Sequence, residues 1–375
     1  MAGKRKVLIV GGGIGGLSTA IALRRAGVAV DLIEIHREWT VHHVGIVMQG
    51  NAVRAMVALG IAEKCIAAGF PYGGIVFRDL AEHMLMDIPG IPVAGPGMPT
   101  DLGLTRPALH RILSETALEL GTKVRLGTTL AEFKDDGSKV HATLSDGTSG
   151  DYDVVVGADG VQSNLRVRLF GDGHKPKFTG QGVWRYNVPR PPELKRAEMY
   201  LGLEGGKCGH IPLTSDTAYV LLVQKEAGDG RIPEPRLADV FRSRLARCTG
   251  LMAKLRDQIT DADRVVYRPL QAVFVPAPWH KGNVVLIGDA VHAITPHLGQ
   301  GAAQAMEDGV VLGELLGRDA PNAALFQEYL QRRFERCKAI YEASLQIGEW
   351  EQRPTPDADP AGLTARMIPL FGQPI

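Results

Sequence analysis

Four consecutive apolar residues near the N-terminus, Val7-Leu8-Ile9-Val10, pass directly into Gly11-Gly12-Gly13-Ile14-Gly15-Gly16, and no other feature constrains the fold as strongly. An uninterrupted β-branched and aliphatic run predicts a strand buried on both faces of a parallel sheet. Gly11, Gly13 and Gly16 satisfy G-x-G-x-x-G. The first permits a tight turn, the second lets backbone approach a pyrophosphate, and the third lets the next helix pack close to the strand. The sequence LSTAIALRRAGV continues as a helix that Gly27 ends. Residues 28–33 then form a second strand leading to Glu34, whose carboxylate can accept both hydroxyls of an adenosine ribose. The backbone around Gly11, Gly13, Ile14, Gly15 and Gly16, together with Glu34, is therefore expected to hold a dinucleotide. The fingerprint alone does not separate FAD from NAD.

Two distant segments bear on that choice. Residues 153–156 form another buried-strand run ending in Gly157-Ala158-Asp159-Gly160-Val161-Gln162-Ser163-Asn164-Leu165-Arg166. Far downstream, residues 283–287 end in Gly288-Asp289-Ala290-Val291-His292, followed by Thr295-Pro296-His297-Leu298-Gly299-Gln300-Gly301-Ala302-Ala303. Each places an acid just past the carboxyl end of a strand, the ligand edge of an open α/β sheet. Gly299 and Gly301 open an amphipathic helix predicted to run from Ala302 to Leu316, leaving unpaired backbone N–H groups at its start. Such a terminus stabilises the anionic edge of a reduced flavin by about 0.3–1 kcal/mol.

These three stretches resemble the single-component, or group A, FAD-dependent aromatic hydroxylases, the para-hydroxybenzoate and salicylate hydroxylase-like family. The resemblance implies an α/β fold, with a Rossmann-like FAD-binding domain and an inserted β-sheet substrate domain. It implies that Asp289 binds the ribityl and pyrophosphate region of FAD, and that Asp159 shapes a groove serving FAD and the nicotinamide. Arg106, in Leu104-Thr105-Arg106-Pro107-Ala108-Leu109, resembles the family's FAD-contacting arginine. Gly299, Gln300, Gly301 and Ala302 would lie against the ring, with Pro296 by its pyrimidine edge. The implied reaction is hydroxylation of a small aromatic by O2 and NADH or NADPH through a flavin C4a-hydroperoxide.

The expected FAD-binding domain is discontinuous, comprising residues 1–74, 100–177 and 276–320. Residues 75–99 and 178–275, rich in strand-like runs such as Ala218-Tyr219-Val220-Leu221-Leu222-Val223, form the substrate domain, with a helix at 237–256 on its outer side. A C-terminal helix over residues 321–352 and a Pro-rich tail from 353 to 375 complete the chain. The chemistry calls for a group that deprotonates a substrate hydroxyl. His210 is the first candidate and Tyr219 the second. His43, Trp184, Arg185 and His297 are candidate substrate contacts: Trp184 as an aromatic wall and Arg185 as an anion partner, although core packing and a surface ion pair account for those two residue types equally well. In the resemblance, His42 and His43 replace a segment that runs under the isoalloxazine.

Composition narrows the alternatives. The net charge of +1, from 42 basic and 41 acidic residues, offers no field for nucleic acid or an anionic membrane. Cys65, Cys208, Cys248 and Cys337 lack any C-x-x-C spacing, so neither a disulfide framework nor a metal site is expected. The N-terminal apolar run stops at glycines with no cleavage-type segment, and no run approaches membrane-spanning length, so a cytoplasmic protein is expected. No second G-x-G-x-x-G follows a strand, so the nicotinamide would dock transiently; a homodimer is a habit of the family. The rival readings are a reductase, epoxidase or cyclase acting on an isoprenoid or polyketide, and a non-catalytic FAD- or nucleotide-binding protein.

Overall fold

The computed structural model describes residues 5–228 and 232–375. The N-terminal strand, Lys6–Val10, lies inside a six-stranded sheet, between Val154–Gly157 on one side and Ala29–Glu34 on the other. Val284–Leu286 pairs with the far side of Val154–Gly157, and all of these pairings are parallel. Val10 is level with Gly157, and Gly157 with Leu286. Three strands distant in sequence thus end side by side, and Gly11, Asp159 and Asp289 leave the same edge.

Two helices carry that edge into a cleft. Ile14–Arg25 packs along Gly301–Leu316, and the crossing is close because Gly309, Gly313 and Gly317 face it. A Cβ on Gly309 would lie 2.7 Å from the Thr19 amide nitrogen, and one on Gly313 would lie 2.3 Å from the Ala22 Cβ. Only hydrogen fits at those positions.

The second large sheet has seven strands in the order Val266–Phe274, Lys177–Pro189, Thr217–Lys225, Gly206–Pro212, Ala197–Leu203, Ile75–Arg78 and Met84–Ile88. Successive side chains alternate between its faces. Trp184, Tyr200, Cys208, Val220 and Leu222 form the outer layer, buried with Phe241, Met252 and Leu255. The helix expected at 237–256 is two helices, Leu237–Arg244 and Gly250–Arg256, the second beginning at a glycine with φ of +49°. Val183, Met199, Ile211, Tyr219, Leu221 and Val223 form the inner layer.

The C-terminus corrects the sequence reading. Asn322–Gln352 is one long helix, but the expected Pro-rich tail contains a further helix, Pro360–Gly372. Asp359 caps it, accepting a 2.7 Å hydrogen bond from the Gly362 N–H, and Pro360 takes the first position, where a missing N–H costs nothing. Proline thus starts this helix instead of preventing it. Ala361 is buried with the inner layer of the seven-stranded sheet, against which Ala365 and Ile368 also pack, and Phe371 is buried with Leu298, Ile340 and Ile347. Phe371→Ala is expected to destabilise the protein by about 3–5 kcal/mol. Chemical denaturation would read this as a lower midpoint, whereas an unpacked tail would give no change.

Candidate active site

The glycine turn is fixed from several sides. Gly11 has φ of +110°, and a Cβ there would lie 2.3 Å from the Ala158 carbonyl oxygen; a Cβ on Gly16 would lie 2.0 Å from the Gly11 carbonyl oxygen. Gly13, by contrast, faces open space, as backbone meant for a phosphate should. Glu34 accepts hydrogen bonds from the amides of Gly12 and His36, at 2.8 and 3.0 Å, and each oxygen keeps a lone pair for a ribose hydroxyl. Two residues that the sequence reading passed over complete this end. His110 Nε2 lies 2.9 Å from the Gly12 carbonyl oxygen, and Trp39 packs edge-on against His110 beside Gly12.

The second and third segments present polar groups that lack protein partners. Asp159 Oδ2 accepts from the Leu165 amide, but its buried Oδ1 has no partner among the described residues. Asp289 is open to the cleft and makes no side-chain hydrogen bond among the described residues; burial pushes its carboxyl up, opposed by the charges of His292 and Arg106. Its backbone is held from behind, because Asp308 accepts from the Gly288 N–H at 2.9 Å and contacts His292 Nε2 at 2.7 Å. The helix Gly301–Leu316 starts without a side-chain cap, Gly299 is left-handed at φ of +67°, and a Cβ on Gly301 would meet nothing within 4 Å. Gln300 reaches Asn51 and Gln304, which fixes the loop without filling the cleft. Arg106 opens its helix with no side-chain partner among the described residues, and its amide donates to the Val44 carbonyl at 2.8 Å. Glycine backbone at a close approach, two helix N-termini, a free carboxylate and a free guanidinium fit the sugar, pyrophosphate and ring of FAD.

Across the cleft lies the inner face of the seven-stranded sheet. Its registers place Arg185 level with Leu221 and Gly209, and Tyr219 level with Asn187 and Ile211. Tyr219 and Leu213 lie directly over Gly45, where a Cβ would fall 2.1 Å from the Tyr219 ring. Arg185 has no hydrogen-bond or ion-pair partner among the described residues. Burial lowers its pKa, with Tyr219 opposing and Arg106 adding to the shift. Burial raises the Tyr219 hydroxyl to about 12, against the pull of Arg185, so at neutral pH it is a hydrogen-bond donor and not a phenolate. His42 contacts Arg268 at 3.1 Å; burial, then Arg268, Arg106 and Arg185, hold it neutral. His43 is exposed, and its carbonyl accepts from Asn187 Nδ2.

Two sequence candidates fall on the wrong face. Trp184 is fully buried in the outer layer, its indole N–H donating to Glu226 at 3.0 Å, so it is core packing. His210 is level with the outward Val220 and contacts the Tyr200 hydroxyl at 3.2 Å. Burial lowers it to about 4, against the charge of Glu198. A neutral imidazole behind the sheet cannot deprotonate a substrate in front of it.

His297 instead belongs to a buried polar group that the sequence reading missed. Its Nε2 lies 3.3 Å from Glu351, whose other oxygen meets Lys207 at 3.0 Å. Gln181 donates to Glu351 at 3.1 Å, and the Lys207 ammonium lies 3.5 Å from the His297 carbonyl. One carboxylate from the last turn of the long helix thus ties two sheet strands to the turn Pro296–Leu298. Gly348 makes room for this, because a Cβ there would lie 2.9 Å from both Gln181 Oε1 and the His297 ring. Beside it a cavity of about 280 Å³ runs from exposed Glu349 and Arg353 to Gln181 and His297. Burial opposes ionisation of Glu351, but Lys207 and His297 outweigh it and hold the carboxyl down to about 2.

Within the hydrophobic wall behind Asp289, His292, Asp308 and Cys337 bring ligand atoms within 4.8 Å of one another. Arg333 sits there, 2.8 Å from Asp308 and 3.5 Å from the Cys337 sulfur, so a cation already occupies the charge a metal would take.

Residues 4–344 match the model of the FAD binding domain family. The chain belongs to the FAD-dependent monooxygenases of the aromatic hydroxylase family. It is 32% identical over 353 residues to the 2-heptyl-3-hydroxy-4(1H)-quinolone synthase of Pseudomonas aeruginosa, covering 92% of this chain and 90% of that one. It is 30% identical over 355 residues to 3-hydroxybenzoate 6-hydroxylase 1 of Aquipseudomonas alcaligenes, covering 89% and 86%. The HpxO protein of Klebsiella pneumoniae, solved with FAD and uric acid, superposes with a TM-score of 0.84 at 24% identity, covering 99% of this chain and 94% of that one. The fold of this FAD-dependent monooxygenase is accordingly that of the para-hydroxybenzoate hydroxylase type, and FAD is its cofactor.

Two expectations follow for this flavoprotein. Asp289→Ala should purify largely without FAD, read as loss of flavin absorbance relative to protein; wild-type flavin content would contradict the placement. The Glu351 carboxyl titrates near 4.3 when unfolded and at about 2 when folded, so its contribution is complete above about pH 4.5 and lost as pH falls towards 2. Glu351→Leu should cost about 3–5 kcal/mol at neutral pH because it strands a buried Lys207, and it should flatten the acid limb of a stability profile.

Proposed function

We propose that this monooxygenase hydroxylates a small aromatic carrying an ionisable hydroxyl, of the phenol, hydroxybenzoate or hydroxypyridine type, using NADH or NADPH and O2. The observation that carries this reading is Arg185: a guanidinium with no carboxylate partner among the described residues, on the inner sheet face, with the Tyr219 hydroxyl as its neighbour. A positive charge held unpaired in a cleft is stable only when an anion arrives. A phenolate fits both groups, accepting a charge-assisted hydrogen bond from Arg185 and a second bond from Tyr219.

FAD, when bound, would supply the redox chemistry that links nicotinamide oxidation to the use of O2. The chain's own residues prepare the acceptor. A charge-assisted hydrogen bond worth about 1.5–3 kcal/mol lowers a phenol's pKa by about one to two units, which raises the electron density of the ring without a dedicated base. Val183, Leu221 and Val223 on the same face keep that ring in an apolar setting. Pro296 and His297 bound the chamber on the side of the loop before Gly301, and burial lowers the His297 pKa against the charge of Glu351. Support from outside the chain is chemical in kind: one relative is named a 3-hydroxybenzoate 6-hydroxylase, and another a synthase of a hydroxyquinolone.

A screen of phenols and hydroxypyridines for stimulated NAD(P)H oxidation with matching hydroxylated product tests this reading; yellow protein that oxidises nicotinamide equally with and without every phenol would overturn it. In a responsive pair, Arg185→Met should keep FAD yet reduce kcat/KM by about 10–100-fold, in line with loss of one charge-assisted bond. Tyr219→Phe should act more weakly in the same direction.

A further inference from the structure

The outer face of the seven-stranded sheet carries a feature that the monooxygenase reading does not use. Cys208 lies in the middle of the strand Gly206–Pro212 and points away from the chamber, while its neighbours Lys207 and Gly209 belong to the inner face. Cys248 lies between the helices Leu237–Arg244 and Gly250–Arg256 that cover this outer face. The two sulfurs are 3.5 Å apart. Both thiols are buried, but Cys248, at 3% exposure, is flanked by exposed Arg247 and Thr249 and so lies one layer below solvent.

We propose that Cys208 and Cys248 form a redox pair that hydrogen peroxide closes to a disulfide, fastening the roof strand of the chamber to its helical cover. The geometry supports it in two ways. A disulfide needs sulfurs about 2.05 Å apart, and the remaining approach falls on an irregular segment and not on a hydrogen-bonded strand. The pair is also polarised. The Cys208 thiol beside it, more than the opposing burial, favours ionised Cys248, and Arg256 and Arg247 add to this. Cys248, the thiol nearer solvent, is the one that peroxide meets first and so acts as the nucleophile.

The step balances without any further reactant. The Cys248 sulfur attacks one oxygen of peroxide and the O–O bond breaks; the hydroxide released takes the Cys248 proton to become water, leaving a sulfenic acid. The Cys208 sulfur then attacks that sulfur, and the displaced hydroxide takes the Cys208 proton as a second water. Two thiols lose two electrons and two protons, and one peroxide becomes two waters. The other two cysteines act as internal controls. Burial pushes the Cys65 thiol up to about 12, and Cys337 lies against Arg333 without a thiol partner among the described residues.

The test treats the FAD-loaded protein with hydrogen peroxide, then alkylates it under denaturing conditions and maps peptides without reduction. The expected result is a fall from four alkylatable thiols to two, with a Cys208–Cys248 cross-linked peptide that dithiothreitol abolishes, and with Cys65 and Cys337 still alkylatable. Exposed Met84 reports the dose through its sulfoxide. In Cys248→Ser the cross-link should vanish and Cys208 should stay alkylatable. Full retention of all four thiols once Met84 is oxidised would overturn the proposal. So would loss of Cys208 and Cys248 no faster than Cys65 and Cys337, or their conversion to sulfonic acids without a cross-link.

Discussion

The close crossing of two helices, Ile14–Arg25 and Gly301–Leu316, is the contact on which the molecule depends. Gly309, Gly313 and Gly317 bring the backbones together, so two helix N-termini separated by most of the chain open into one cleft. Each terminus carries free N–H groups and a partial positive charge. The strand ends at Val10, Gly157 and Leu286, level in one sheet, supply the acids that complete the cleft. The crossing is held from behind by buried charge: Arg333 bridges Glu307 and Asp308 at 2.6 and 2.8 Å with all three side chains fully buried. Such a network positions its helices well but is costly to leave incomplete.

This arrangement divides the work of the site. One wall of the cleft is built from backbone, glycines and a few carboxylates. The facing wall is built from side chains on one face of a sheet, with Arg185 and Tyr219 on it and the Lys207–Glu351–His297 group beside the Pro296–Leu298 turn. The two walls meet at the Pro296–Leu298 turn, which precedes the helix Gly301–Leu316 and is held by Glu351 from the last turn of another.

The same division explains what the sequence made legible. Close backbone approach leaves a fixed signature because only glycine fits at Gly11 and Gly16, so the fold and the convergence of the three segments at one sheet edge could be read from the sequence. The face of a strand is legible only when one side is wet and the other dry. In Gly206–Pro212 every residue is buried, since the sheet is covered by helices on one side and the chamber on the other, and no alternation marks which way His210 points. Trp184 misled for the same reason. Glu351 carried no signal at all, because a glutamate near a helix end reads as a solvated residue until the sheet is placed against it. The tail misled by composition: Pro354 and Pro356 break the chain, but Pro360 starts the next helix.

That last helix has a further consequence. Pro360–Gly372 packs on the apolar inner face of the seven-stranded sheet, and Phe371 packs against Leu298 in the turn before the helix Gly301–Leu316. The backbone carbonyl of Ile375, just beyond this helix, accepts a 2.7 Å hydrogen bond from Arg332. The inner face of the seven-stranded sheet and the Pro296–Leu298 turn are thus coupled through one helix, so a change that loosens Pro360–Gly372 reaches both.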